Sequence, residues 1–438
     1  MAEFAQYVNA FAAALAGCNG RDPFSSARTV AALLQTGSRE VRAAVEQKLI
    51  AQPRWNPIHD QYRQIANSQF ANWHALFQYH ALCMSNLVQN KHSDAYEASR
   101  AALGQFSTIF SDAPDNARWI VPIHHVVVHN MVAMATQADH TLRQNGNAAP
   151  GKLSAAATYL QSSIFSETLR KGGGQKRYAA LEVANTLFRV TFRLKNLRLA
   201  DSIMKGVSHN LSPESVTPFS NFPMSQQVTY KFFEGRIAIF NELYSVAAEA
   251  LTYACNHCYK DALQQKTQIL QFLIPVQMLL GKLPSAAIRQ KHNMHMYDTI
   301  IQAVRAGDVK TFQQEMDSNM HTFCVQGTFF LLEKLKLTVL RRLLMRCCIL
   351  HLESCPPGTP NPHHFPLDNF AHALQWQGQM DSDFEGSTLT VANLIHLKYV
   401  KGYISQAHRK LVLYRKADKI IEMAFPPLDT VDVSKIGV

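Results

Sequence analysis

Basic side chains are concentrated in one short segment near the C-terminus. Between residues 395 and 420 the only acidic residue is Asp418. The candidate binding residues in this segment are Lys398, Lys401, His408, Arg409, Lys410, Arg415, Lys416 and Lys419. Lysine and arginine side chains bind phosphate groups and release counterions, which gives affinity for nucleic acid without recognition of its sequence. The segment therefore predicts a surface that binds RNA, and DNA as a further possibility, without sequence preference.

Two tyrosines and several apolar residues are interleaved with these cations. Tyr403 and Tyr414 offer ring faces on which nucleic-acid bases can stack. The apolar residues Val391, Leu394 and Leu411 have the spacing to pack against a core, which directs the cations outward. Two alternatives remain open, namely a solvated surface that merely tolerates lysine and arginine, and a surface that meets the acidic side chains of another protein.

A second basic set lies on the long apolar segment that begins near Leu331. Its members are Lys334, Arg341, Arg342 and Arg346. Helical spacing places leucines on one side of this segment and these cations on another. The set could extend the nucleic-acid surface or bind an acidic partner, and a solvated helix face explains it equally well.

The sequence contains no complete metal or catalytic motif. Cys255 and Cys258 have C-x-x-C spacing, but a zinc site needs two further ligands and no second C-x-x-C exists. The motifs G-x-S-x-G, H-E-x-x-H and G-x-x-x-x-G-K-[ST] do not occur. We therefore predict packed thiols at a helix end, no metal, no cofactor and no enzymatic activity.

Composition predicts a globular protein with anionic partners. The chain has 438 residues, a formal net charge of +11 and 47% hydrophobic residues, and a basic balance favours nucleic acid or acidic proteins. Its eight cysteines lie mostly among apolar residues and predict free thiols in a reducing compartment. The longest apolar run, Ile269–Gly281, is too short to span a bilayer, and Glu3 stands where a signal peptide would be positive. We expect an intracellular protein without membrane insertion.

The elements that must position these residues are almost all helical. Residues 1–212 show helix after helix, and residues 213–333 continue as helical hairpins of the tetratricopeptide type. From residue 334 to residue 438 the pattern becomes three helices, ending in "TLTVANLIHL", and then two short strands, "GYIS" and "LVLYRK". We expect a loop at "SCPPGTPNPHHF" and a turn at "SDFEGS". The predicted fold class is all-α, a helical-hairpin solenoid ending in a winged helix whose β-hairpin is the wing.

Several segments in this order resemble the PCI-domain family, and within it the PCI subunit of the nuclear transcription and export complex 2. That subfamily also includes a signalosome-linked branch. The segments that carry the resemblance, over roughly the last 230 residues, are "LIPVQMLLGKLP" (Leu273–Pro284), "AVRAGDVKTFQQEM" (Ala303–Met316), "FFLLEKLKLTVLRRL" (Phe329–Leu343), "ANLIHLKYVKGYIS" (Ala392–Ser405) and "FPPL" (Phe425–Leu428). The N-terminal half matches only in being helical.

The resemblance implies a scaffold subunit of a nuclear mRNA-export complex that links transcription to export. It implies two protein partners, a GANP-type PCI scaffold protein and a small acidic DSS-type protein. It also implies a basic winged-helix surface that binds RNA or DNA, and a location in the nucleus at the nuclear pore, with the cytoplasm as a further possibility. The alternative is an assembly subunit of a signalosome, proteasome-lid or translation-initiation complex that makes only protein contacts.

Overall fold

Helices build both structural units of the chain. The computed structural model describes residues 2–66, 70–146, 151–169, 174–215, 217–356, 358–378, 383–416 and 419–428. Its first unit is Met1–Tyr230 and its second is Lys231–Val438. Asp418, the acidic residue among the C-terminal cations, lies outside the described residues. The predicted domain boundaries at residues 212 and 333 stay a prediction.

The described part of the first unit consists of helices, and several consecutive helices pack on each other. Its helices are α1 (Ala2–Gly17), α2 (Pro23–Leu33), α3 (Arg39–Ala51), α4 (Arg63–Ala66), α5 (Trp73–Val88), α6 (His92–Asp112), α7 (Val121–Gln144), α8 (Lys152–Tyr159), α9 (Ser166–Thr168), α10 (Ala180–Leu194) and α11 (Leu197–Asn210). The division between the units falls within α12 (Met224–Phe240). Where the connection is short, as between α5 and α6 and between α10 and α11, neighbouring helices run antiparallel.

The second unit begins with helices and ends with a small sheet. Its elements after α12 are α13 (Tyr244–His257), α14 (Leu263–Leu279), α15 (Ala286–Lys291), α16 (Asp298–Ala306), α17 (Val309–Ser318), α18 (Met320–Gln326), α19 (Phe329–Glu333), α20 (Leu335–Ser354), β1 (His364–Pro366), α21 (Leu367–Trp376), α22 (Phe384–His396), β2 (Gly402–Ser405), β3 (Lys410–Leu413) and α23 (Ile420–Ala424).

Two glycines allow close helix packing in this unit. A Cβ at Gly235 would lie 2.6 Å from Leu251 Cγ, so α12 and α13 approach closely at this position. Gly307 has a left-handed φ of +72° and ends α16, and a Cβ there would lie 2.7 Å from the backbone nitrogen of Leu343 in α20. The turn between α16 and α17 therefore packs directly on the backbone of α20.

The C-terminal part of the second unit is a winged helix. Helices α20, α21 and α22 precede the antiparallel hairpin of β2 and β3, and β1 adds a third strand in the order β1-β3-β2. In the register of the sheet, Phe365 lies opposite Leu411, and Leu411 lies opposite Ile404. The predicted fold class, all-α with helical hairpins and a C-terminal winged helix, is confirmed.

Two local predictions were wrong. The first two residues of strand β1 lie in the segment predicted to be a loop, because Phe365 is buried and pairs with β3 despite the prolines around it. The predicted turn "SDFEGS" contains the start of α22, because the carboxylate of Asp383 accepts a 2.7 Å hydrogen bond from the backbone nitrogen of Gly386 and caps the helix. Helix α22 therefore begins four residues before Thr388, the start of the predicted helix "TLTVANLIHL".

A buried arginine joins α20 to two later segments. The guanidinium of Arg341 donates hydrogen bonds to the carbonyl oxygen of Tyr399, at 3.0 Å, and to that of Pro426. Burial lowers the pKa of Arg341 to about 10, so the side chain remains charged at neutral pH. Tyr399 lies between α22 and β2, and Pro426 follows α23, so one side chain connects three parts of the winged helix.

We predict that Arg341→Met lowers the free energy of unfolding by about 2–4 kcal/mol, because two buried carbonyl groups lose their donor. Urea denaturation of the full chain measures the loss. The matched control is Arg415→Met, an exposed arginine whose replacement should change stability by less than about 0.5 kcal/mol. Equal effects of the two substitutions would refute the structural role of Arg341.

Candidate nucleic-acid interface

The sheet of β1, β2 and β3, called the wing sheet below, has an inner and an outer face. Leu411 and Leu413 are buried on the inner face, with Ile404 opposite Leu411. Because side chains alternate along a strand, Tyr403 and Lys410 point to the other side. The backbone nitrogen of Tyr414 donates a 2.9 Å hydrogen bond to the carbonyl oxygen of Lys401, so the pairing continues one step beyond the strands. We use "outer face" for the side that carries Lys401, Tyr403, Lys410 and Tyr414.

Both tyrosines of the outer face are open to solvent. Tyr403 is 62% exposed and Tyr414 is 52% exposed. They line one open groove of about 610 Å³, whose other lining residues are His363, Lys401, Gly402, Val412, Leu413 and Arg415. Exposed aromatic rings next to cations are the combination that binds single-stranded nucleic acid by stacking and charge.

The predicted cations lie at several places around α22, β2, β3 and α23. Lys398 follows α22, Lys401 precedes β2, and His408 with Arg409 lies in the turn between β2 and β3. Lys410 begins β3, Arg415 and Lys416 follow it, and Lys419 precedes α23. All of them are exposed except Lys410, which is half-buried. The groove brings together only Lys401 and Arg415.

Two of these cations already have acidic partners. Arg409 donates a 2.7 Å hydrogen bond to Asp368 at the start of α21, and its guanidinium lies 3.8 Å from the ring centroid of Phe384. Lys419 forms a 3.3 Å ion pair with Glu422. Within the described part of the chain, no carboxylate pairs with Lys398, Lys401, Arg415 or Lys416. Lys410 has no such partner either, but it is half-buried; the other four are the exposed lysines and arginines of the predicted set without a described carboxylate partner.

Two cations adopt a backbone conformation that is unusual for residues with a side chain. The φ angle is +61° at Lys398 and +50° at Arg409, both in the left-handed region. That region destabilises a residue with a Cβ by about 1–2 kcal/mol relative to the right-handed one. The ends of α22 and of the wing turn therefore hold charged side chains where glycine would fit with less strain.

Sequence patterns did not indicate the contribution of β1 to the site. His363 precedes β1, lines the groove and accepts a 3.0 Å hydrogen bond from the backbone nitrogen of Leu413 at its carbonyl oxygen. Burial lowers the pKa of the His363 imidazole, and the nearby Arg415 and His364 lower it further. The ring is therefore neutral at pH 7 and leaves the positive charge of the groove to Lys401 and Arg415.

The second basic set does not form one surface. Arg341 is buried, as described above, so its predicted place on a surface was wrong: its charge is satisfied by backbone carbonyl oxygens inside the unit. Lys334 forms an ion pair with Glu242. Arg342 and Arg346 are exposed and donate to the carbonyl oxygens of Arg305 and Ala306, at 3.1 and 2.7 Å. They stabilise the C-terminal end of α16, where carbonyl groups lack helical partners.

Metal binding and membrane insertion find no support in the part of the chain that is described. There, no cluster of three or more His, Cys, Asp or Glu side chains could hold a metal ion. Cys255 is half-buried and Cys258 is buried, both as free thiols. Among the described helices, none has both the length and the apolar character that a membrane crossing requires.

We predict that Gly402→Ala destabilises the wing sheet, because the added Cβ would lie 2.5 Å from the carbonyl oxygen of Val412, a backbone atom that cannot move aside freely. Overpacking of this kind lowers the free energy of unfolding by about 1–3 kcal/mol. Hydrogen exchange of the amides in β2 and β3 measures the effect. The control is Gly37→Ala, where an added Cβ meets no atom within 4 Å. Unchanged protection in the Gly402 variant would contradict the prediction.

Comparison with individual known proteins places the chain in a family, although no family model matches it. The PCI domain-containing protein 2 homolog of Dictyostelium discoideum is 28% identical over 344 residues, which cover 78% of this chain and 77% of the relative. PCI domain-containing protein 2 of Xenopus laevis is 28% identical over 360 residues, 81% of this chain and 85% of the relative. Enhanced ethylene response protein 5 of Arabidopsis thaliana is 32% identical over 317 residues, 72% of each. With this similarity and the winged helix described above, the chain belongs to the PCI-domain family, in the group of the PCI domain-containing protein 2 homologues.

Proposed function

We propose that the chain is a non-enzymatic scaffold subunit of a nuclear mRNA-export complex, and that its winged helix binds RNA or DNA without sequence preference. Similarity to PCI domain-containing protein 2 homologues supports the scaffold role. The proposed location is the nucleus, at the nuclear pore. The proposed protein partners are a GANP-type PCI scaffold protein and a small acidic DSS-type protein.

One observation carries the nucleic-acid part of the proposal. Lys398, Lys401, Arg415 and Lys416 are exposed and have no carboxylate partner among the described residues, and Lys401 and Arg415 line the groove with Tyr403. Cations on a protein surface that serve only solubility are commonly interspersed with acids. A segment with many cations and one acidic residue attracts polyanions, and nucleic acid carries a phosphate anion at each nucleotide.

A second candidate function is protein assembly alone, as in a signalosome, proteasome-lid or translation-initiation complex. Exposed apolar side chains in the second unit favour it, since Trp376 is 86% exposed and Phe330 is 77% exposed. Large apolar side chains left in water often mark protein contacts. A subunit can have both roles, and the two experiments below separate them.

We predict that replacing Lys401, Arg415 and Lys416 with glutamate abolishes binding of single-stranded RNA at physiological salt and leaves weak binding at low salt. The slope of log K against log salt concentration is negative, and each lost phosphate contact reduces its magnitude by about 0.7. Loss of three contacts therefore reduces the magnitude of the slope by about 2. Fluorescence anisotropy with a labelled uridine 20-mer at several salt concentrations measures both effects. The titration uses the full chain, alone and together with its PCI partner.

The matched control changes the same number of charges elsewhere. Arg21, Arg39 and Arg54 are exposed in the first unit, and their replacement by glutamate gives the same net charge. If that control weakens binding as much as the wing variant, only bulk charge attracts RNA. If the wing variant binds as tightly as the unchanged chain, the nucleic-acid part of the proposal is wrong.

Partner capture tests the assembly part. We expect that the tagged chain, purified under mild conditions, carries a large PCI scaffold protein and a small acidic protein, identified by mass spectrometry. Recovery of a complete set of signalosome, proteasome-lid or translation-initiation subunits instead would support the second candidate function and refute the mRNA-export assignment.

A further inference from the structure

Helix α22 has a surface that is poorly suited to a DNA duplex. In helix-turn-helix folds the corresponding helix enters the major groove, with its N-terminal residues at the base edges. Here the N-terminal end of α22 carries Asp383 and Glu385, and the described helix contains neither lysine nor arginine. Its exposed residues further along include Leu389, Ala392 and Asn393. Insertion would bring two carboxylates near the phosphates of the groove walls, which is electrostatically unfavourable.

The wing sheet offers the opposite combination. Tyr403 lies opposite Val412 in the register, and Tyr414 is two residues beyond Val412, so the tyrosines are diagonal neighbours on adjacent strands. Such neighbours are about 7–8 Å apart on one face of a sheet. Neither ring has an aromatic partner among the described residues, and the groove joins them to Lys401 and Arg415. The rings of both tyrosines and the charges of Lys401 and Arg415 are therefore accessible from the same groove.

We propose that the outer face of the wing sheet, and not α22, is the nucleic-acid site, and that it selects single strands. Two unpaired bases stack on Tyr403 and Tyr414, while Lys401 and Arg415 bind the phosphates beside them. A duplex hides its base faces inside its own stack, so it can use the cations but not the tyrosines. This inference rests on the proposed nucleic-acid function and adds the strand class and the two stacking residues.

Lys398 and Lys416 do not line this groove, but they are exposed and lie close in sequence to its two cations. Lys398 follows α22 by two residues, and Lys416 follows Arg415 directly. Arg409 contributes less, because Asp368 and the ring of Phe384 already hold its guanidinium. Lys401 and Arg415 are thus the predicted cations that line the groove together with Tyr403 and Tyr414.

The test compares tyrosine variants with single-stranded and double-stranded RNA of the same length. Tyr403→Ala with Tyr414→Ala should weaken binding of the single strand by at least about tenfold, because base stacking on each ring is lost. The salt slope should stay unchanged, since no cation is removed. Duplex binding should be weaker than single-strand binding in the unchanged chain and should change less than threefold in the variant. The control, Tyr403→Phe with Tyr414→Phe, keeps both rings and should bind the single strand nearly as the unchanged chain does.

The outcomes separate this inference from the proposed function. If the alanine variant binds the single strand normally while the Lys401, Arg415 and Lys416 reversal abolishes binding, stacking is refuted and the nucleic-acid function stands. If the duplex binds more tightly than the single strand, strand selection is refuted. If polyglutamate of matched charge displaces the strand at equal concentration, the surface is one for acidic proteins and the inference fails. If neither RNA form binds to the chain or to its complex, both proposals fail.

Photocrosslinking of 5-iodouridine RNA, with peptide mapping, should locate the crosslinks at Tyr403 or Tyr414. Crosslinks confined to α22 would overturn the assignment.

Discussion

The winged helix depends on the hydrogen bonds that the buried guanidinium of Arg341 donates. It links α20 to the carbonyl oxygens of Tyr399 and Pro426, which belong to segments 58 and 85 residues further along the chain. A charge inside a protein needs hydrogen-bond partners, and a backbone carbonyl that is buried needs a donor. The same contacts satisfy both requirements. They also fix the position at which the chain leaves α22 and enters β2, and hence where the outer face of the wing sheet begins.

Much of the fold could be predicted from local sequence patterns. Helical periodicity identified α20 and most of α22. The predicted strand "GYIS" coincides with β2, whereas the predicted strand "LVLYRK" begins one residue after β3 begins and extends three residues beyond its end at Leu413. The strand β1 was missed, because its pairing with β3 links residues more than 40 positions apart and prolines surround it. The start of α22 was missed because glycine and serine in "DFEGS" are common in turns, whereas the carboxylate of Asp383 turns that segment into a helix N-terminus.

The candidate site was predictable in composition but not in arrangement. The count of cations around β2 and β3 is visible in the sequence, and so are the two tyrosines. Which cations are available is not visible, because pairing depends on distant residues: Asp368 holds Arg409 across 41 positions, and Glu242 holds Lys334 across 92. Arg341 shows the same limit most clearly. Spacing in the sequence can assign a charged residue to one side of a helix. It cannot show whether that side faces water or the backbone of a neighbouring segment.

The left-handed backbone of Lys398 has a consequence for how this protein responds to selection. Glycine at that position would relieve the steric conflict of the Cβ, and would also remove one of the exposed charges between α22 and β2. If Lys398 contributes to the proposed nucleic-acid site, stability and binding favour different residues at this position. A laboratory evolution experiment that rewards heat resistance alone would be free to discard the lysine, and the fold would survive the loss.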